Sequence, residues 1–416
     1  MPEDASTAAP RSTLALLRDP IFGPWFFGNL LKNSGTWLYN VTAAVVVYNL
    51  TGSALLVGTV TIAQFASLAL LSPWAGALSD RVDRRRLLLA SQAFAGVFAT
   101  SIAVATAVLG VDGLPGPWPV IAATAGIGIG LAFIGPALNA LVPALVPSAD
   151  LENAVALTSL TFNIGRALGP GAGGLILATL GPEAGFAVNA VSFLAIIAVL
   201  LVIRPRAQPR TAGGDRSVRA GLRYVRDEGT LAWLLLGIGA VGFATDPVNT
   251  LAAPLAAAFG GGDGLVAFLV SAFGLGAASV AFLAGRVQRA FGLLPVARTG
   301  SLLLAAGLAG AALAPVPGLA LASFALMGAG FLLGLTSFTA LLQRRVDEEL
   351  RGRVMALWTV AFLGTRPVAA LVDGGAADLL GVRAAFVVPV AVALIAAAVA
   401  RRVDRGPRAA SAPSGA

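Results

Sequence analysis

Residues 76–86 read GALSDRVDRRR. Four arginines and two aspartates crowd into the seven residues from Asp80 to Arg86, and the sequence on either side is bare of charge. Ser53 to Leu78 carries none, nor does Leu87 to Val111. A charged knot between two long apolar runs reads as a short polar turn between two membrane spans. Its positive sign marks the side of the membrane that it faces.

The rest of the chain repeats that pattern. Of 416 residues, 57% are hydrophobic and only 12% are charged, about half the charged share of a soluble domain. Mean hydropathy is +0.86. The uncharged runs exceed the roughly 20 apolar residues needed to cross about 30 Å of hydrocarbon, so the fold is helical rather than a barrel of short alternating strands. Twelve spans are predicted, at 23–50, 54–78, 87–110, 118–141, 153–180, 184–203, 231–258, 264–284, 296–314, 318–342, 353–378 and 384–400. The expected fold is an all-α polytopic membrane protein. It divides into a cytoplasmic tail (1–20), a six-helix bundle (21–203), a cytoplasmic linker (204–230), a second bundle (231–400) and a second tail (401–416). The polar first 20 residues lack the apolar core of a cleavable signal peptide.

Arginine placement sets the topology. With both termini inside, the inner segments hold 24 of the 28 basic residues. The outer loops hold Arg383, and Lys32, Arg166 and Arg366 lie within spans. One inner loop breaks the rule: Pro143 to Asn153 carries Asp150 and Glu152 and no base. The net charge of +8 is therefore a topology signal and not a nucleic-acid footprint. Cysteine and histidine are absent, which removes thiolate and imidazole metal sites, thiol nucleophiles and the usual proton shuttle near neutral pH. No GxxxxGK[ST] is present, so an ATP-driven pump is not indicated. No cofactor is expected. Between Asp215 and Gly229, Val218, Leu222 and Val225 share one helical face, as in a short amphipathic helix on the membrane surface.

The two halves echo each other at an offset of 200: Leu180-Gly181-Pro182-Glu183-Ala184-Gly185-Phe186 pairs with Leu380-Gly381-Val382-Arg383-Ala384-Ala385-Phe386, Arg166 with Arg366, and Gly174 with Gly374. Two six-span repeats in pseudo-symmetric bundles suit a transporter with its site between them.

Gly76 to Arg86 resembles motif A of the major facilitator superfamily. Gly165-Arg166-Ala167-Leu168-Gly169-Pro170-Gly171-Ala172-Gly173-Gly174 resembles its motif C. Residues 48–53, 153–189 and 349–355 look most like the bacterial drug and siderophore exporter branch that includes the enterobactin exporter. The resemblance covers about residues 15–403. It implies a proton-coupled exporter of a small amphipathic molecule in a bacterial inner membrane, monomeric, with substrate, protons and bilayer as its partners. It also implies that Gly76, Asp80, Arg81 and Arg84 form an inner gate, with Asp80 latched to the start of span 11 near Arg353. Gly165, Gly169, Pro170, Gly173 and Gly174 would pack span 5 on the small-residue face of span 8 around Gly274, Gly276 and Ala277. One departure stands out: span 4, Pro119 to Leu141, has no motif B arginine.

Charges inside the membrane cost several kcal/mol and mark pathways or ion pairs. The candidates for the cavity are Lys32, Arg166 and Arg366, with Asp246 as the proton carrier and Asn29, Asn33 and Asn163 as polar wall. Asn29, Asn33 and Asn40 share a face of span 1 by their spacing. The cationic surplus suits an anionic or polar substrate. Asp373 can reach Arg366 only across two turns of one helix. Inward symport or facilitated transport and a non-transporting receptor are the alternatives; catalysis is not expected, since without His or Cys only Ser–Lys or paired Asp remain and Ser34 lies on a different face from Lys32.

Overall fold

The computed structural model describes residues 11–203, 218–347 and 350–405. Helices follow the apolar runs closely. Span 1 is Phe22–Thr51, span 2 Ala54–Arg81, span 3 Arg84–Leu109 and span 4 Trp118–Leu145. Spans 5 and 6 share Leu151–Val202, which turns over at Gly181. Span 7 comprises Gly229–Ala244, Pro247–Thr250 and Ala252–Ala258; spans 8, 9 and 10 are Asp263–Phe291, Leu293–Leu313 and Pro317–Arg345. Span 11 is Arg351–Leu363 with Arg366–Leu380, and span 12 is Val382–Ala385 with Val387–Arg405. Among the described residues, ten helices are long and apolar enough to cross a membrane. Adding span 1, diluted by Asn29, Lys32, Asn33 and Asn40, and counting spans 5 and 6 separately gives twelve. The linker helix forms at Val218–Asp227, with Val225 buried and the Tyr224 hydroxyl donating to Asp347 Oδ2 at 3.1 Å.

The repeat is physical. Gly181 and Gly381 both turn the chain at positive φ, 82° and 88°, a conformation open to glycine and strained for other residues. Each half has its own core, one built on Phe22, Trp25, Tyr39, Phe186 and Phe193, the other on Phe324, Phe331, Phe338 and Phe386.

The turn at 80–86 does more than signal topology. Asp83 caps span 3, its Oδ1 accepting from Arg86 N at 2.8 Å. Arg85 donates to the last carbonyls of span 6: Nε and Nη2 to Leu200 O at 2.9 and 2.7 Å, and Nη2 to Leu201 O at 2.9 Å. Carbonyls left open at a helix end are where a cation is favoured.

The acidic loop that broke the arginine rule finds its base elsewhere. Arg11 N donates to Asp150 Oδ1 at 2.7 Å and its Nε to Oδ2 at 2.6 Å; Nη1 reaches Asp19 at 2.9 Å, and Asn153 returns a bond to Arg11 O. Asp19 in turn accepts from Ile21 N and Phe22 N at the start of span 1. Burial pushes the Asp150 carboxyl up, but the bonds from Arg11 outweigh it and hold the group below the ordinary 3.8.

The halves meet at the end opposite the termini. A Cβ built on Gly174 would lie 2.7 Å from Ala267 Cα of span 8, and one on Gly374 2.6 Å from Ala54 O of span 2. These pseudo-equivalent glycines let the two cross-half helix pairs, 5 with 8 and 2 with 11, touch backbone to backbone. Asp378 of span 11 locks the second pair: its carboxylate accepts from Ser53 Oγ at 2.6 Å, Ala54 N at 2.8 Å and Leu55 N at 3.1 Å, the open amides that begin span 2. Asn49 to Asp263 at 2.9 Å adds a second polar link between halves.

The expected seat of the span 5 glycines changes. Gly165, Gly169 and Gly173 press on span 1, their added Cβ atoms 2.9, 2.8 and 3.0 Å from Asn33, Trp37 and Leu38. Residues four apart share one face; Gly174, one residue on, is turned about 100° away and faces span 8. Span 8 spends Gly276 on the Ala325 backbone of span 10 instead.

Two outcomes follow for measurement. Asp150→Asn should lower stability by about 1 kcal/mol, the small value befitting a pair with one exposed partner. The contribution of a depressed carboxyl is present above pH 3.8 and lost as pH falls through its folded value, so melting curves of wild type and variant should converge in acid. Asp378→Ala should loosen the seam. In this cysteine-free chain, a cysteine placed at buried Ala370 should then react with an impermeant maleimide several-fold faster.

Candidate functional site

Spans 7 and 11, predicted as continuous, are each interrupted at a threonine-charge-proline sequence. In span 7 the helix stops at Ala244 and restarts at Pro247, with Thr245 and Asp246 between. In span 11 it stops at Leu363 and restarts at Arg366. The sequences are Thr245-Asp246-Pro247 and Thr365-Arg366-Pro367. Proline removes an N–H and clashes with the preceding turn. The threonine hydroxyl takes the carbonyls left over: Thr245 Oγ1 donates to Val241 O at 2.8 Å, Thr365 Oγ1 to Ala361 O at 3.1 Å and across to Gly239 O of span 7 at 3.3 Å. Broken backbone at membrane depth is tolerated where it lines a cavity, and both breaks do so. Trp37 and Val41 of span 1, Thr245, Val248 and Asn249 of span 7, Val270 and Phe273 of span 8, Phe331 of span 10 and Arg366 surround one narrow space between the halves.

Arg366 is 3% exposed. Its guanidinium carbon stands 5.0 Å from the Phe65 ring centre, 5.2 Å from Phe362 and 6.0 Å from Trp37. Two of the three rings belong to the opposite half. Cation–π attraction of about 2 kcal/mol in a desolvated site holds the charge, while Nε and Nη1 have no hydrogen-bond partner. Asp246 is fully buried; Thr250 Oγ1 donates to its Oδ2 at 2.6 Å, and Oδ1 is without a partner. The two charges interact electrostatically without forming a direct ion pair. The unpaired Arg366 nitrogens therefore lie in an aromatic box, and Asp246 has a free acceptor oxygen at the adjoining helix break.

The other predicted residues fall into three groups. Lys32 is buried and donates to Asn33 Oδ1 at a long 3.4 Å. Asn29 and Asn33 both turn to Thr161 of span 5, at 2.8 and 3.3 Å, and so tie the span 1–span 5 seam and do not line the Arg366 space. The side chains of Asn163, Arg166, Pro170, Asp80, Arg81 and Arg353 lie outside the described residues. So does any test of the expected latch at Asp80. Gly76 meets no atom within 4 Å of an added Cβ, and Arg84 is half-buried at the start of span 3. Sequence reasoning missed the aromatic box and the Thr-charge-Pro pair. The repeat of that tripeptide across the two breaks is the signal that would have found them.

Two parallel six-span repeats, the second with two interrupted helices that bring opposite charges toward the seam, have the architecture of a secondary transporter. The chain belongs to the major facilitator superfamily, its residues 11–414 matching the family described as transmembrane secretion effector. It is 30% identical over 378 residues to the enterobactin exporter EntS of Shigella boydii serotype 4 (strain Sb227), covering 87% of this chain and 86% of that protein. It is 30% identical over 214 residues to the multidrug efflux pump Tap of Mycolicibacterium fortuitum, where it spans 48% of this chain and half the length of Tap, 50%. The crystal structure of a bacterial homologue of the iron transporter ferroportin, in an inward-facing state, shares the fold with a TM-score of 0.72 at 16% identity, covering 95% of this chain and 100% of that one. The protein is a multi-pass membrane transporter of the major facilitator type and not an enzyme.

Lysine cannot reproduce a planar cation seated among three rings. Arg366→Lys should thus reduce transport about tenfold, the equivalent of roughly 1.4 kcal/mol of lost contact, with expression unchanged; dye efflux from cells reads the effect.

Proposed function

We propose that this chain exports a small amphipathic molecule across a bacterial inner membrane in exchange for protons, by rocking one bundle against the other. The arginine-rich face, with both termini, is the cytoplasmic one. The observation that carries the reading is the pairing of the two helix breaks: a carboxylate and a guanidinium, both buried and both with unpartnered atoms, the guanidinium lining the space between the halves. The names of the two curated relatives, an enterobactin exporter and a multidrug efflux pump, support outward transport.

The chemistry follows from the free atoms. The apolar body of a substrate packs against Trp37, Phe273 and Phe331. Its polar end accepts from Arg366 and donates a hydrogen bond to Asp246 Oδ1. A proton arriving at Asp246 occupies that same oxygen, turns an acceptor into a donor and dislodges the substrate. Substrate and proton thereby compete for one site, as exchange requires. With Asp378 seated on span 2 the cavity is closed at the outer end, and release of that contact opens it.

Inverted membrane vesicles energised by a pH gradient should accumulate ethidium when they carry the protein. Collapsing the gradient should empty them, and Asp246→Asn should behave as the collapsed state does. Accumulation in right-side-out vesicles instead would identify an inward symporter. Gradient-driven uptake that survives in Asp246→Asn would rule out Asp246 as the proton carrier.

A further inference from the structure

One buried acid has no part in the site described so far. Asp373 lies on the second segment of span 11, seven residues beyond Arg366. Two turns place it about 10 Å nearer the outer end on nearly the same helical face. It is fully buried, and neither carboxylate oxygen has a hydrogen-bond partner. A carboxylate without donors in this setting is costly as an anion, and a bound proton removes the cost.

Its surroundings define a direction. Asp246 of span 7 is close enough to interact with it electrostatically. Arg366 stands on its own helix two turns inward. Span 2, packed against this segment through Gly58 on Ala370 and Ala54 on Gly374, brings no charged group between Ala54 and Ser79. Span 12 brings Arg383, which is taken up at the surface by Ala312 O and the Phe259 ring. Outward, five residues on, Asp378 is exposed at a vestibule walled by Tyr48, Ser53, Pro254 and Val382. Three acids therefore descend from the outer surface to the cavity: Asp378 at the mouth, Asp373 beneath it behind the seam, Asp246 at the break.

We propose that Asp373 is a second proton-binding carboxylate, which takes protons from the outer vestibule when the span 2–span 11 seam opens and delivers them to Asp246. An O–H bond forms on Asp373 from a hydronium in the vestibule. It then breaks as ionised Asp246 takes the proton, leaving Asp373 ionised and Asp246 neutral. The delivery step rests on the reading of Asp246 as the proton carrier; the proton on Asp373 does not.

Infrared spectroscopy of the purified protein at neutral pH tests the first part. The expected result is a protonated-carboxyl band that is lost in Asp373→Asn and persists in Asp246→Asn. A spectrum unchanged by Asp373→Asn overturns the proposal. Vesicles test the second part. Asp373→Asn should slow gradient-driven ethidium uptake at least about tenfold while leaving ethidium counterflow, which needs no net proton movement, near wild type; Asp373→Glu should restore uptake. Loss of counterflow together with uptake, unrescued by Glu, assigns Asp373 a structural role and overturns the relay. If the band behaves as expected but Asp246→Asn retains gradient-driven uptake, the reading of Asp246 fails while the proton on Asp373 stands.

Discussion

A helix that crosses hydrocarbon must satisfy its own backbone, and the architecture here depends on two interruptions near mid-span where that rule is relaxed. At Thr245-Asp246-Pro247 and Thr365-Arg366-Pro367 the chain gives up regular helical bonds near mid-span. Threonine hydroxyls recover part of the loss. The remainder is tolerated because both breaks face the seam between bundles and not lipid. The breaks place an anion and a cation opposite each other without an ion pair, and the aromatic rings of the opposite half hold the cation in place. A direct salt bridge would have used up the atoms that stay unpaired here.

The seam itself is governed by close backbone approach. Gly174 and Gly374 occupy equivalent places in the two repeats and let helices of opposite halves touch at one end of the bundle. Few polar contacts secure that closure, chiefly Asp378 on the first amides of span 2. One carboxylate makes all three of these bonds, so they form and dissolve as a unit. At the other end, the Arg11–Asp150–Asp19 cluster and Arg85 on the carbonyls of span 6 hold the first bundle together internally. They do not join the halves. In the 76–86 turn Arg85 thus caps the end of span 6, and Asp83 caps the start of span 3.

Much of this was legible in the chain alone, and the reason is solvent. Hydrocarbon thickness sets span length and exclusion of charge sets span boundaries, so twelve helices and the arginine-rich face follow from local composition. The offset of 200 between halves, and the glycine turns at Gly181 and Gly381, were likewise readable, because a repeat is a property of sequence. Arg366 and Asp246 were identifiable as costly charges. Tertiary structure decided their company. The rings around Arg366 come from residues 37, 65 and 362, the base for Asp150 comes from residue 11, and the partners of Asp378 come from residues 53–55. It likewise turned Gly165, Gly169 and Gly173 toward span 1, and tied Asn29 and Asn33 to Thr161. Local rules fix which residues enter the membrane; contacts between segments hundreds of residues apart depend on how twelve helices rotate and cross, and no single span encodes that.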